Sequence, residues 1–355
     1  VMEVATGDLL AMANLSRTKS GAYAEVKNHA LSSRMEPGST FKLAALLALV
    51  DDAGMSLDET FDTGNGARVK VGRTTVQDSH GLPPLNLKDA VAHSSNVFFA
   101  RAVYETYKDD PERYVDYLRH LHLDRTVGLE EFGAVAPIFP APGMKIWYPD
   151  VSIVNMGYGY AIELPPIHIL TLYNAVANEG CMVAPRLIRE VRRGTRVVEE
   201  YPTQVLVERI CSNATLKIVR ECLEETARSG TAKAYFRDTV SLRVAAKTGT
   251  AKVAQSGITY SDGYYLGSMV TYFPADNPKY TVMTSIFTRR GRGTTVYGAG
   301  LAGPVQRDIV NYMFYRDEEW HQTVTPSDEE HYPSRVKGGN IAYVRRVADK
   351  FSPRV

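Results

Sequence analysis

The stretch EPGSTFKLAALLALV, Glu36 to Val50, is an apolar run that opens on a serine and carries a single lysine one turn in. Pro37 and Gly38 predict a turn, Ser39 a cap, and Leu43, Leu46, Leu47 and Val50 recur at helical spacing, so a helix starts here. That accounting leaves Lys42 over. Positions three apart share a helix face, so Lys42 lies beside Ser39, among leucines and alanines that leave its amine poorly solvated. Desolvation and a nearby positive charge both favour the neutral amine, and a neutral amine beside a hydroxyl is a general base beside a nucleophile. The competing reading is a capping serine and a lysine that snorkels to water.

On the N-terminal side of this helix, VMEVATGDLLAMANL predicts two short strands around a Thr6-Gly7-Asp8 turn. On the other side, from about Asp51 to Ser241, the pattern is mostly helical with long Gly- and Pro-rich loops. Helices are expected over 87–93, 97–107, 112–121, 167–177 and 214–228, the last capped from Ser212 or Asn213. The texture then returns to strand in VAAKTGTAKV, YYLGSMVTYFP and YTVMTSIFT, followed by a helix over 302–315. Strands at both ends with helices between them predict an α/β architecture in which one sheet is assembled from the two ends of the chain. The expected organisation is one domain over 1–316, with sheet regions 1–50 and 241–316 and a mostly helical region 51–240. The polar segment 317–355 reads as an extension or linker.

The chain has 355 residues, 44% of them hydrophobic and 23% charged, as expected of one large or two smaller globular domains. A formal net charge of +1 without a dense basic patch speaks against a nucleic-acid partner. The eight histidines are scattered and His120-Leu121-His122 lacks a third ligand nearby, so no metal is expected, and no cofactor. Cys181, Cys211 and Cys222 match no zinc or redox spacing and are expected as buried free thiols. No stretch approaches the ~20 apolar residues that span a bilayer, and no signal peptide is evident. A first residue Val1 in a strand-like segment suggests a piece of a longer protein, with any membrane anchor in a preceding segment.

Ser-x-x-Lys alone is weak evidence, since it occurs at Ser16, Ser39 and Ser334, but only the middle occurrence opens an apolar helix. A second element is Ser94-Ser95-Asn96, where a break between two helices can aim a hydroxyl and an amide at a cleft, or simply cap. A third is Lys247-Thr248-Gly249-Thr250 inside a strand. Glycine there is costly unless something approaches the backbone closely, as a substrate laid along a free sheet edge does.

The order STFK, SSN, KTGT resembles the signature of penicillin-binding proteins and serine β-lactamases. VMEVATGDLLAMANL, MEPGSTFK, GYGYAIELPPIHILTLYNAVANEG, YFPADNPKYTV and VYGAGLAGPV are similar to class B, monofunctional transpeptidase members, and within class B the KTGTAK and YFPADNPKY segments most resemble the division-specific FtsI type. One departure is Leu164-Pro165-Pro166-Ile167-His168, where the family usually carries Thr-x-x-Gln. The resemblance implies the penicillin-binding-protein/serine β-lactamase transpeptidase fold and a D,D-transpeptidase that cross-links peptidoglycan stem peptides through an acyl-enzyme on Ser39. It also implies that Lys42 is the base, that Ser94 relays a proton, that Asn96 holds a substrate amide, and that Lys247 repels the Lys42 proton. Thr248, Gly249 and Thr250 would bind substrate with Lys247, and the backbone N–H groups of Ser39 and Thr250 would form the oxyanion hole. β-Lactam antibiotics would acylate the same serine. A membrane glycosyltransferase and division proteins are the implied partners, and a periplasmic site anchored to the inner membrane the implied location. The same residues would serve a β-lactamase, a D,D-carboxypeptidase or a β-lactam sensor. The Glu-x-x-Leu-Asn context of class A lactamases is absent, and Asn96 argues against class D enzymes and sensors.

Overall fold

A computed structural model of the chain describes residues 1–236, 242–254, 257–291, 293 and 295–317. The chain divides into two compact units, Val1–Asn311 and Tyr312–Val355. The extension expected over 317–355 lies, past Asp317, outside the described residues.

The longer helices among the described residues, with the short one that follows Ser39, are α1 (Lys42–Leu47), α2 (Leu87–His93), α3 (Asn96–Tyr107), α4 (Pro111–His120), α5 (Pro166–Ala177), α6 (Asn213–Arg228) and α7 (Gly298–Arg316). Four strands, β1 (Met2–Glu3), β2 (Ala245–Lys252), β3 (Tyr264–Phe273) and β4 (Tyr280–Arg289), form an antiparallel sheet in the order β1-β4-β3-β2. Met2 pairs with Thr281, Phe273 with Tyr280 and Lys247 with Val270, so the sheet is built from both ends of the chain as the sequence predicts. β2, which carries the KTGT motif, is an edge strand.

Every residue of α1 is buried, as are Ile167 to Ala177 of α5. A helix that is apolar all round belongs inside a protein, and KLAALL is such a helix except for its lysine. α5 packs on β3 and β4, where the Asn174 amide donates to Val4 O and accepts from Thr281 Oγ1. On α7 the buried Gln306 amide donates to Met269 O at 2.9 Å and accepts from Thr271 Oγ1 at 2.7 Å, tying the helix to β3.

Two expectations need correction. The N-terminal hairpin keeps its turn, with Glu3 N–H donating to Asp8 O, but its second arm shrinks to a single bridge between Met2 and Leu9. Leu9 N–H donates instead to Arg186 O, and Arg186 closes on Asp8 at 2.5 Å. The region 51–240 also holds short antiparallel pairs, among them Val69–Val71 with Thr74–Val76 and Glu190–Arg193 with Arg196–Glu200. Gly72 and Gly194 supply the left-handed turn residues that such tight hairpins need. All three cysteines are free, Cys211 and Cys222 buried and Cys181 half-buried.

Candidate active site

Ser39 lies in a tight 3-10 turn, Gly38–Phe41, that runs directly into α1. Its side chain does not cap, because the turn begins one residue earlier with Pro37 as the flanking residue. The capping half of the competing reading therefore falls away, and the Ser39 hydroxyl faces Lys42 instead. Gly38 adopts φ +56°, the left-handed region where a side chain is costly, and its N–H donates to Gly159 O at 2.9 Å. From α5, Tyr173 hydroxyl donates to Thr40 O at 2.9 Å, fixing the next residue of the turn.

Gly249 is needed for a reason the sequence did not reveal. A Cβ there would lie 2.9 Å from Thr40 Cγ2 and 3.2 Å from Thr40 N. The close approach expected of a substrate at this glycine is made by the turn that bears Ser39, which docks directly onto β2.

Ser94 ends α2 in the left-handed conformation, φ +58°, a strained choice for a serine that costs on the order of 1 kcal/mol. That kink turns its hydroxyl into the gap between the two lysines. Ser95 caps α3 by accepting from Phe98 N–H, and Asn96 is the first residue of that helix. Beneath this break sits Asp78, 6% exposed. It accepts from Ser95 Oγ at 2.7 Å, Asn96 N–H at 2.5 Å and Val97 N–H at 3.2 Å. Nothing in VQDSHG distinguishes this aspartate from one that merely forms a turn, so sequence reasoning passed over it.

Lys42 is 1% exposed, which removes the snorkelling alternative. Its Nζ lies 3.0 Å from Ser39 Oγ, 2.6 Å from Ser94 O, 2.7 Å from Asn96 Oδ1 and 3.3 Å from Ser94 Oγ. Two of these partners, a carbonyl and an amide oxygen, can only accept. A neutral amine has two N–H protons; given to those two acceptors, they leave its lone pair for the Ser39 hydroxyl. Burial pushes the Lys42 amine down to about 7, while the Asp78 carboxylate pulls it back up.

Lys247 is fully buried on β2, 2.8 Å from Ser94 Oγ and 3.0 Å from Thr248 O. Burial first, and Lys42 second, hold it well below the ordinary lysine value. The expected repulsion therefore falls on Lys247, and burial is what lowers Lys42. Ser94 Oγ lies between the two amines.

Thr248 Oγ1 shares a hydrogen bond of 2.6 Å with Thr231, and Thr250 Oγ1 accepts from Gly298 N–H at 2.8 Å, which leaves the Thr250 hydroxyl proton available to an anion. Lys252 N–H donates away from β3, to Tyr160 hydroxyl at 3.1 Å. Alternate residues of an antiparallel edge strand point the same way, so Thr250 N–H also faces outward from the sheet, on the side where Gly249 meets the Ser39 turn. The structure thus brings together Ser39, Lys42, Ser94, Asn96 and Lys247 through direct hydrogen bonds, with Thr248, Gly249 and Thr250 on the adjoining strand edge.

The departure at 164–168 lies at the start of α5, with Pro166 in its first turn. His168 is buried there, its Nε2 2.9 Å from Arg125 O, and burial pushes it down to about 4, so it is a neutral packing residue. Among the described residues there is no cluster of His, Cys, Asp and Glu able to hold a metal, and no helix long and apolar enough to cross a membrane.

The family model described as the penicillin binding protein transpeptidase domain matches residues 1–311. The chain is 27% identical over 338 residues to penicillin-binding protein PbpB of Mycobacterium tuberculosis, covering 89% of this chain and 47% of that protein. It is 25% identical over 321 residues to a probable peptidoglycan D,D-transpeptidase PenA of Neisseria flavescens, covering 88% of this chain and 73% of that one. The chain thus spans 47% of the length of its PbpB relative. Among solved structures, penicillin-binding protein 3 of Mycobacterium tuberculosis complexed with aztreonam superposes with a TM-score of 0.75 at 25% identity, over 92% of this chain and 73% of that one. The sheet topology, the site and these relatives agree: the chain belongs to the penicillin-binding protein transpeptidase family, in its class B, FtsI-like branch.

Proposed function

We propose that this chain is the catalytic domain of a peptidoglycan D,D-transpeptidase that cross-links stem peptides through an acyl-enzyme on Ser39 and is inhibited by β-lactams at the same atom. The observation that carries the reading is the Lys42 amine, buried and lowered to about 7, with two obligate acceptors and the Ser39 hydroxyl as partners. The name of the PenA relative and the aztreonam complex of the structural neighbour support it.

In this mechanism Ser39 Oγ attacks the carbonyl between the two terminal D-alanines and its proton passes to Lys42 Nζ. The developing oxyanion is met by Ser39 N–H and Thr250 N–H. Asn96 holds the donor amide. Collapse of the tetrahedral intermediate breaks the peptide bond, and Ser94 carries a proton from Lys42 to the departing D-alanine amine. The Ser39 ester is then attacked by an amine of a second stem peptide, which gives its proton to Lys42; the C–Oγ bond breaks as the cross-link forms, and Lys42 returns that proton to Ser39 Oγ. Thr248 and Thr250 hydroxyls bind the donor carboxylate. That carboxylate restores the proton of Lys247, whose charge burial otherwise disfavours.

The proposed substrate lies outside the cytoplasmic membrane, so the reading carries an extracytoplasmic, periplasmic site held near the inner membrane by a segment preceding this domain. A membrane glycosyltransferase and division proteins are its proposed partners. The FtsI-like affinity supports a place in septal wall synthesis.

The test is a donor peptide ending in D-alanyl-D-alanine, offered with and without an acceptor amine. Acceptor-dependent product with D-alanine release is expected, and labelling by a fluorescent penicillin that outlasts by far the time the unlabelled chain needs for one donor turnover. Release of D-alanine that ignores the acceptor would make the chain a carboxypeptidase, and rapid loss of the penicillin label would make it a β-lactamase.

A further inference from the structure

Asp78 belongs to none of the three motifs, yet its carboxylate is buried and, among the described residues, its three hydrogen bonds all come from the Ser95-Asn96-Val97 turn. Asn96 in turn presents Oδ1 to Lys42 at 2.7 Å, and Asn96 Nδ2 is directed at Gln77 O, the residue beside Asp78. The 77–78 segment thus grips Asn96 by its backbone and its side chain at once. A carboxylate at the N-terminus of α3 is also well placed electrostatically, facing the unsatisfied N–H groups of the first turn.

We propose that Asp78 is a positioning residue of the acylation machinery, which fixes the Ser94–Asn96 turn against Lys42 and serves as the buried counter-charge of the Lys42 amine. This rests on the reading of Lys42 as the base. Among the described residues, the titratable groups facing Lys42 are Asp78 and Lys247; its other partners, Ser39, Ser94, Asn96 and the Phe99 ring, are neutral. Without Asp78, burial acts unopposed on the Lys42 amine. Lys42 then becomes easier to deprotonate but a weaker base, and a weaker base takes the serine proton less readily. The carboxylate thereby keeps the amine near the pH at which a base is most useful.

The sign of the effect is definite. A negative neighbour favours the protonated amine, so its removal moves the Lys42 titration to lower pH. The experiment measures the second-order rate of acylation by one penicillin from pH 5 to 9 in the parent, Asp78→Asn and Asp78→Glu. In the parent the rate should rise through a midpoint near 7. Asp78→Asn, which keeps the shape and a hydrogen-bond acceptor, should shift that midpoint down by on the order of one pH unit and lower the alkaline plateau. Asp78→Glu, which keeps the charge, should lose rate while holding the parent midpoint. If Asp78→Asn is not accommodated, Asp78→Ser is read by the same criterion. A fall in rate with an unmoved midpoint in the uncharged variant would reduce Asp78 to a helix cap and overturn the proposal. A parent profile without the acid limb would instead remove Lys42 as the base, a failure of the underlying reading that is seen before any Asp78 variant is compared.

Discussion

Lys42 is where chemistry and stability pull apart. Its amine titrates at about 7 in the folded chain against an ordinary value near 10.5, so between those values the unfolded chain binds the extra proton. Parent stability therefore rises with pH across that window, and is lowest below pH 7, where folding must bury a charged amine. Lys42→Met removes the titration. Its stability relative to the parent should be greatest at pH 6 and decline by on the order of 2 kcal/mol by pH 9, read from denaturant midpoints at the two values. A pH-independent difference would mean that the amine is not buried as described. Lys42→Arg tests the chemistry at the same position, because a guanidinium keeps its proton at any accessible pH. Acylation by penicillin should fall at least a hundredfold in that variant and show no recovery toward pH 9. Acylation at near the parent rate would put the base elsewhere.

At the scale of elements, the site is a contact between one turn and one strand edge. Gly249→Ala places a methyl 2.9 Å from Thr40 Cγ2, and the 3-10 turn must move or β2 must bend. Stability should drop by about 1–3 kcal/mol, and acylation should drop more than stability alone explains at a temperature well below the melting transition, since Ser39 sits beside the displaced residue. A stability loss with an unchanged acylation rate would show that the contact is mere packing. This contact also marks the limit of what was legible in the sequence. The helices and the three long strands were readable because each carries a long periodic pattern, and the sheet drawn from both chain ends followed from their order. Ser39 and Lys42 were readable because three residues of spacing on a helix fix neighbourhood. The role of Gly249 was not, because its neighbour Thr40 is distant along the chain, and Asp78 was not, because burial of a polar loop residue depends on what folds over it. The short hairpins at 69–76 and 190–200 were missed for a related reason, their strands being too brief to establish an alternating pattern.

At the scale of the whole molecule, the sheet separates anchoring from chemistry. β1 and β2 lie at opposite edges, with β4 and β3 between them. Met2 on β1 is fully buried against Ile167, Leu170 and Val183 among others, so Met2→Ala should cost about 2–5 kcal/mol of stability by chemical denaturation. The acylation rate at low temperature should be unchanged. A parallel loss of acylation would show that strain passes across the sheet. Ser39 Oγ, held 3.0 Å from the Lys42 amine, is the proposed point of covalent acylation. The most direct test is mass spectrometry of the intact chain after incubation with a penicillin, followed by peptide mapping. The expected result is a single added penicillin mass, located on the peptide that contains Ser39 and absent from Ser39→Ala, whose melting temperature stays close to the parent's. A stable adduct on any other residue, or one that persists in Ser39→Ala, would contradict the account.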